Sequence, residues 1–147
     1  LVAIHTGNPY VKWMLEETRG GIDSIHSLLA QSTAPAPRNP EDLPKAKHFR
    51  DIGWVFFRTG WDHSASLLAA KFHQGRGHED LGQFVIYHQG RQHIVDAGTI
   101  NYADPIYATF LNQTKAHNTV MVDHQRQWRL DGTISDFLYQ DGLGFAV

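Results

Sequence analysis

Residues 52–57 read IGWVFF, and Gly60 ends this run. Ile52, Trp54 and Phe56 alternate with Gly53, Val55 and Phe57. A repeat of two residues is the period of a β-strand and not of a helix. The other short β-rich runs are 67–72, 84–87, 94–95, 119–122 and 137–139. Many short strands separated by Gly- and Asp-rich turns are typical of an antiparallel β-sandwich. The sequence therefore predicts a mainly β fold for residues 49–147.

The residues before this part carry a different pattern. Pro9 follows Asn8, which can cap a helix, and apolar residues then recur at helical spacing as far as Gly20. A second amphipathic stretch covers 22–29. Residues 32–48 contain four of the six prolines and read as an extended linker. We therefore expect helices within 1–31, a proline-rich linker at 32–48 and a sandwich at 49–147 that is truncated at its C-terminus.

The composition excludes several classes of protein. The chain has 147 residues, of which 41% are hydrophobic and 19% charged, as expected for one ordinary domain or one domain plus a fragment. Its net charge of -2 offers no basic field to nucleic acid. Its apolar runs are far shorter than the roughly 20 residues of a transmembrane helix, so we expect no membrane insertion. Cysteine is absent, which excludes disulfides and a thiol nucleophile.

Three potential metal ligands lie at edges of the predicted strands. His78, Asp96 and His117 are separated by 18 residues (78 to 96) and 21 residues (96 to 117). Two imidazoles and a carboxylate suit Zn²⁺, with a fourth position for water or another group. Glu79 or Asp80 can hold an imidazole tautomer from outside the ligand set. With 10 histidines in the chain, the alternative is that these are polar strand ends facing solvent.

The order and spacing of four motifs resemble the C-terminal domain of the heparinase II/III-like polysaccharide lyases, a superfamily that includes oligoalginate lyases. The resemblance covers about residues 44–127. The motifs are 52–58, 77–84, 96–102 and 117–123.

This resemblance implies an N-terminal α/α toroid followed by an antiparallel β-sandwich. The helices before residue 31 would be the tail of the toroid, which is the expected partner domain in the same chain. The resemblance also implies a divalent metal, usually zinc, on His78, Asp96 and His117. The metal's role would be largely structural, in ordering loops near the substrate cleft, and Asn118 would hold the loop that presents His117.

The implied activity is β-elimination on acidic polysaccharides or oligosaccharides that contain uronic acid, of the heparin, heparan sulfate or alginate type. The family's Tyr acid/base and its Asn or His neutraliser lie upstream in the toroid, so we expect the isolated segment to be inactive. The family has a His two residues before the first metal ligand, where this chain has Arg76. Arg76 can pair with a uronate carboxylate, and His73 can supply the missing imidazole. The resemblance implies a periplasmic or secreted bacterial protein.

Two other functions stay open. Arg76 in place of His is also compatible with a non-catalytic carbohydrate-binding or scaffolding sandwich with a structural metal. A cupin-like metal oxidase or isomerase would need a closer His-x-His pair.

Trp61 and Tyr102 are candidate sugar-binding residues, because both lie near turns or loops, and packing is their alternative role. Arg126 can contact an acidic sugar or be an ordinary solvated charge.

Overall fold

The computed structural model describes residues 8–17, 35–73, 77–128 and 131–147. The chain divides into two compact units, Leu1–Leu43 and Pro44–Val147. The predicted helix at 22–29 and Arg76 lie outside the described residues. Within the described part, no helix combines the length and apolar character that crossing a bilayer requires.

The first unit contains helix α1, Pro9–Glu17. The side chain of Asn8 accepts a hydrogen bond from the backbone N–H of Tyr10 at 2.9 Å, as expected for a capping residue. The Tyr10 hydroxyl donates to the carboxylate of Asp42 at 2.9 Å. These contacts confirm the helix that the sequence predicts at this position.

The second unit is built around one antiparallel sheet of five strands in sequential order. The strands are β1 (Ala46–Phe49), β2 (Trp54–Arg58), β3 (Leu67–Lys71), β4 (Gln83–His88) and β5 (Arg91–Ile94). Strand β1 begins inside the segment predicted as a linker. Its side chains alternate between half-buried and exposed, so even this short run fits a strand at a sheet edge.

A second sheet packs on the first and confirms a two-layer β architecture. It is the hairpin of β6 (Phe137–Gln140) and β7 (Leu143–Ala146). The ring of Phe57 stacks on Phe137 with centroids 5.4 Å apart and lies 6.3 Å from Tyr139. The hairpin turn has positive φ at Asp141 (52°) and Gly142 (83°), as a tight two-residue β-turn requires.

The strand register shows which residues lie at each end of the large sheet. Trp54 is paired with Lys71, and Lys71 with Gln83, at one end of the sheet. Arg58 is paired with Leu67 at the other end. Four residues along a strand span about 13 Å, because a strand rises about 3.3 Å per residue. The loops that carry the candidate metal ligands join the sheet at the Gln83 end.

The strand predicted at 119–122 is wrong. Val120 and Val122 are 74% and 69% exposed, and only one isolated bridge forms, between Val122 and Gln125. The chain turns tightly there, with φ of 51° at Asp123 and 56° at His124. A short apolar run predicts a strand only if a neighbouring strand pairs with it, and in the described residues none does so here.

Candidate metal centre

His117 lies at the centre of the candidate site. Its side chain is completely buried, and its Nδ1 lies 2.6 Å from Oδ2 of Asp96. Because an ionised carboxylate only accepts hydrogen bonds, this contact assigns the ring proton to Nδ1 and leaves a lone pair on Nε2. That Nε2 is buried and has no hydrogen-bond partner among the described residues. A buried, unpaired lone pair is costly, and a metal ion is a common partner of a neutral imidazole.

His78 lies beside His117. Their ring centroids are 4.9 Å apart, and the potential ligand atoms of His78, Asp80 and His117 all lie within 4.8 Å of one another. Both oxygens of Asp80 accept hydrogen bonds from Lys71 Nζ, at 2.7 and 2.8 Å. Two imidazoles and nearby carboxylates therefore meet at the Gln83 end of the sheet.

The environment of His78 favours its neutral form. Burial, and after it the proximity of His117, lowers the pKa of the His78 imidazole below its ordinary value. A neutral imidazole is the form that binds a metal ion. The surroundings of His78 therefore suit a ligand that must stay unprotonated near neutral pH.

A hydrogen-bond network fixes Asp96 and the loop of His117. Gln83 Nε2 donates to Asp96 Oδ2 at 2.5 Å, and Gln83 Oε1 accepts from the backbone N–H of Asn118 at 2.7 Å. The Asn118 side chain donates to the carbonyls of Phe84 (3.1 Å) and Val95 (2.7 Å). These bonds confirm that Asn118 holds the loop that presents His117. The sequence pattern does not predict the role of Gln83, because its partners lie 13 and 35 residues away.

Asp96 makes the carboxylate–imidazole contact that the sequence predicts for Glu79 or Asp80. Asp80 pairs with Lys71, and Glu79 pairs with Arg126. The side chain of Asp96 has no lysine or arginine partner among the described residues, although it is only 29% exposed. Its negative charge beside two imidazoles is therefore one that a bound cation would neutralise.

The segment after His117 is tied to the loop of His78. Arg126 donates through Nε and Nη2 to the buried carboxylate of Glu79, at 2.7 and 2.5 Å. This bidentate contact raises the pKa of Arg126. The Gln127 side chain accepts from the N–H of Leu81 at 2.8 Å and donates to its carbonyl at 2.9 Å. Arg126 is therefore paired with Glu79 while its side chain remains 55% exposed.

A row of aromatic rings leads from His78 to the surface. The Tyr107 ring lies 5.6 Å from His78, and the Tyr102 ring lies 4.7 Å from Tyr107. Tyr102 is 77% exposed. Asp104 accepts from the N–H of Ile106 at 2.9 Å and begins the helical turn that brings the tyrosines together. The Asp-Pro dipeptide before this turn is a helix-start signal that could have revealed Tyr107.

The other candidate residues lie in different places. His73 Nδ1 is 3.0 Å from Asp131 Oδ1, and both side chains are largely exposed. Trp61 packs against Arg58, whose guanidinium carbon lies 3.7 Å from the ring centroid. Arg58 is at the end of the sheet away from Gln83, so the structure does not bring Trp61 to the candidate metal centre.

The donor set fits a divalent metal ion. Two neutral imidazoles with a carboxylate are ligands that Zn²⁺ takes in proteins. The unpartnered Nε2 of His117 supplies a ligand atom that no protein group satisfies in the described residues. The contact between Asp96 and His117 Nδ1 is the kind of hydrogen bond that orients metal-binding histidines.

Comparison with known proteins gives consistent matches. The model of the heparinase II/III-like C-terminal domain matches residues 41–136. A heparin-sulfate lyase of Pedobacter heparinus is 32% identical over 96 residues, covering 58% of this chain and 14% of that protein. The chain therefore spans a small part of this relative's length.

Solved structures share the fold. Heparan sulfate lyase HepC from Pedobacter heparinus has a TM-score of 0.58 at 20% identity, over 90% of this chain and 21% of that one. Heparinase III has a TM-score of 0.53 at 18% identity, over 73% of this chain and 18% of that one. Since the family model matches more than half of the residues, the chain belongs to the heparinase II/III-like family, through that family's C-terminal domain.

Proposed function

We propose that the full-length protein is a polysaccharide lyase that cleaves uronic-acid-containing glycans of the heparin or heparan sulfate type by β-elimination. In this proposal the present chain supplies a metal-ordered wall of the substrate cleft. Family membership and the similarity to a heparin-sulfate lyase support the reaction class. The observation that carries the metal part is the buried His117, with Nδ1 on Asp96 and Nε2 unpaired among the described residues.

The proposed ligands are His78, Asp96 and His117, with zinc as the metal and another divalent ion as an alternative. Asp80 is a competing carboxylate, because its oxygen lies within 4.8 Å of ligand atoms on both imidazoles. Lys71 already neutralises Asp80, whereas Asp96 has no such cation among the described residues. Charge balance therefore favours Asp96. To reach an ion on Nε2 of His117, the Asp96 carboxylate must give up its present hydrogen bond to Nδ1, because the two nitrogens of the ring point in different directions. The bound ion would supply structural order, fixing the loops of His78 and His117 relative to each other.

The proposed reaction removes the proton at C5 of the uronate and breaks the C4–O4 bond. A double bond forms between C4 and C5, and an acid protonates the leaving O4. His73 is a candidate base, because Asp131 can hold its Nδ1 and leave Nε2 for the C5 proton. Arg76 is a candidate partner for the uronate carboxylate, since a guanidinium binds a carboxylate bidentately. The acid/base Tyr would come from the toroid.

An assay of the full-length protein tests this proposal. We expect new ultraviolet absorbance from the unsaturated uronate with heparan sulfate, and little or none with alginate. We expect none from the isolated 147-residue chain. Activity on alginate alone would replace the proposed substrate class, and inactivity of the full-length protein on all uronate glycans would exclude the lyase.

A non-catalytic carbohydrate-binding sandwich is the second candidate. The observation that favours it is Arg76 at the position of the family's His, because an arginine cannot act as a base near neutral pH. It predicts glycan binding by the full-length protein without any ultraviolet signal. A periplasmic or secreted location is part of either proposal, and cell fractionation with an antibody to the chain tests it.

A further inference from the structure

We propose that a basic groove along strands β1 and β2, at the edge of the large sheet, binds an anionic saccharide. The groove has a volume of about 220 Å³. Its lining combines cations with aromatic rings, contributed by Lys45, Lys47, Phe49, Phe56, Arg58 and Trp61. Nothing in the proposed lyase chemistry uses these residues.

The register of β1 and β2 explains why they share one face. Lys47 is paired with Phe56, so their side chains point to the same side of the sheet. The N–H of Arg58 donates to the carbonyl of Lys45 at 2.8 Å, which extends the same pairing by one step. Trp61 follows in the turn after β2, where it covers the guanidinium of Arg58.

The cations of the groove have no acidic partner in the described part of the chain. Among the described residues, no carboxylate lies within ion-pair distance of Lys45, Lys47 or Arg58. Burial lowers the pKa of Arg58, because its guanidinium has lost water without gaining an acidic partner. Three cations without an acid, in a chain of net charge -2, favour an anionic ligand.

The aromatic residues make a saccharide the best match among anions. The ring of Phe49 is 44% exposed and meets Phe56 edge-on at 5.6 Å, which leaves an apolar surface beside the lysines. Sugar rings present C–H faces that pack on aromatic surfaces, while their sulfate or carboxylate groups pair with lysine and arginine. A small inorganic anion would use only the cations.

This inference rests on the proposed function for its ligand class and adds a second point of attachment. The groove lies on β1 and β2, with Lys45 and Arg58 at the end away from Gln83, whereas the candidate metal centre lies on loops at the Gln83 end. A polymeric substrate is long enough to occupy both, which would increase the affinity for chains over short oligosaccharides.

The test is a titration of the chain with a fully sulfated heparin tetrasaccharide. Calorimetry measures the affinity, and the indole N–H signal of Trp61 in NMR spectra reports binding at the groove. The signal is assigned with Trp61→Phe. We expect the double variant Lys45→Gln/Lys47→Gln to bind about tenfold more weakly. Arg58→Lys keeps the charge but loses the planar stack, and we expect an intermediate loss. The matched control is Lys12→Gln/Arg91→Gln, which removes the same charge elsewhere and should change affinity less than twofold.

The outcomes separate this groove from the metal centre. Binding that survives metal chelation and shifts the Trp61 signal supports the groove. Equal losses in the lysine variant and its control would show a diffuse charge effect and overturn it. Binding that disappears on chelation but is unchanged in Lys45→Gln/Lys47→Gln would also overturn it, while leaving the proposed lyase standing. A lower unfolding temperature with unchanged affinity would show that the lysines serve packing against another part of the protein, and the inference would fail.

Discussion

One nitrogen of the His117 imidazole is hydrogen-bonded to the protein, and the other is available to a ligand. Asp96 accepts from Nδ1 at 2.6 Å, while Nε2 is buried and unpaired within the described part of the chain. The nitrogen that does not face Asp96 is therefore the one available to a ligand. The chemistry of the candidate centre therefore depends on this residue more than on any other.

The first prediction concerns the imidazoles. We expect His117→Ala and His78→Ala each to lower the bound metal from about one ion per chain to near zero, because a Zn²⁺ site with one imidazole is too weak. Mass spectrometry of metal content after dialysis gives the measurement. His93→Ala removes an exposed imidazole from β5 and should leave the metal content unchanged. Equal metal loss in all three variants would point to non-specific binding by histidines.

A second prediction separates the two carboxylates. We expect Asp96→Asn to weaken metal binding by at least 10- to 100-fold, because it removes both a charge and the partner of His117. Asp80→Asn should have a smaller effect on the metal, since Lys71 already neutralises that charge. Competition with a chromophoric chelator measures both affinities. If Asp80→Asn abolishes binding and Asp96→Asn does not, Asp80 is the ligand.

At the scale of residues, the sequence predicts that His78, Asp96 and His117 meet. In the structure the ligand atoms of His78, Asp80 and His117 lie within 4.8 Å of one another, and Asp96 contacts Nδ1 of His117. The sequence does not predict which cation or imidazole each carboxylate contacts. That depends on which cation reaches which acid, and the contacts of Lys71 and Arg126 with Asp80 and Glu79 are set by tertiary packing. The Asp-Pro dipeptide predicts the helical turn that carries Tyr107, but not the contact of Tyr107 with His78, which spans 29 residues (78 to 107).

Among the elements, the segment 112–128 encloses the loop of His78. The carbonyl of Asn112 accepts from the N–H of Glu79 at 2.9 Å, and Arg126 pairs with the Glu79 carboxylate. Gln127 completes the contact through Leu81. The two histidine-bearing segments are thus joined on both sides of the site.

The third prediction follows from the ion pair between Arg126 and Glu79. We expect Arg126→Gln to release bound metal severalfold faster, because the buried Glu79 loses its bidentate partner and the loop of His78 opens more often. Stopped-flow transfer of metal to a chelator measures the rate. Arg91→Gln, an exposed arginine on β5, is the control. Unchanged release in Arg126→Gln would mean that the ion pair plays no part in holding the site.

A fourth prediction concerns the packing of the two sheets. A Cβ added to Gly144 would overlap the ring of Phe57, which itself stacks on Phe137. We expect Gly144→Ala to lower the free energy of unfolding by about 1–3 kcal/mol through overpacking. Urea unfolding measures it. The double variant Gly144→Ala/Phe57→Leu should recover part of the loss, and absence of any recovery would assign the effect to the backbone.

Strands β2, β3 and β4 were predictable as short apolar runs between turn residues. The failure at 119–122 has a physical cause, since periodicity reports the side chains of a segment but not whether a partner strand is present. Strand β1 is the opposite case. Its four residues are too few to show a clear period in the sequence, yet they pair with β2 through backbone hydrogen bonds.

For the whole molecule, the sequence predicted two β layers and the family, because several short motifs kept their order over about 80 residues. It could not predict the second sheet's position, which depends on the contact of Phe57 with Phe137 and Tyr139. The sequence does not predict the basic groove either, since Lys45 and Arg58 are brought together only by strand pairing.

A fifth prediction applies at this scale. Removal of the metal with a chelator should lower the unfolding temperature by several degrees or more, because an ion that binds only the folded state stabilises it by about 4 kcal/mol at 1,000 times its Kd. Differential scanning calorimetry with and without stoichiometric Zn²⁺ gives the shift. In His117→Ala the same treatment should change the unfolding temperature by less than a degree.

The central claim is that two imidazoles and a carboxylate from distant parts of the chain hold one divalent ion. X-ray absorption at the zinc edge, on the full chain loaded with one equivalent of zinc, tests it most directly. We predict four light ligands at about 2.0–2.2 Å with the multiple-scattering pattern of two imidazoles, reduced to one in His78→Ala. A spectrum with six oxygen ligands and no imidazole pattern, or one unchanged in His78→Ala and His117→Ala, would contradict the account.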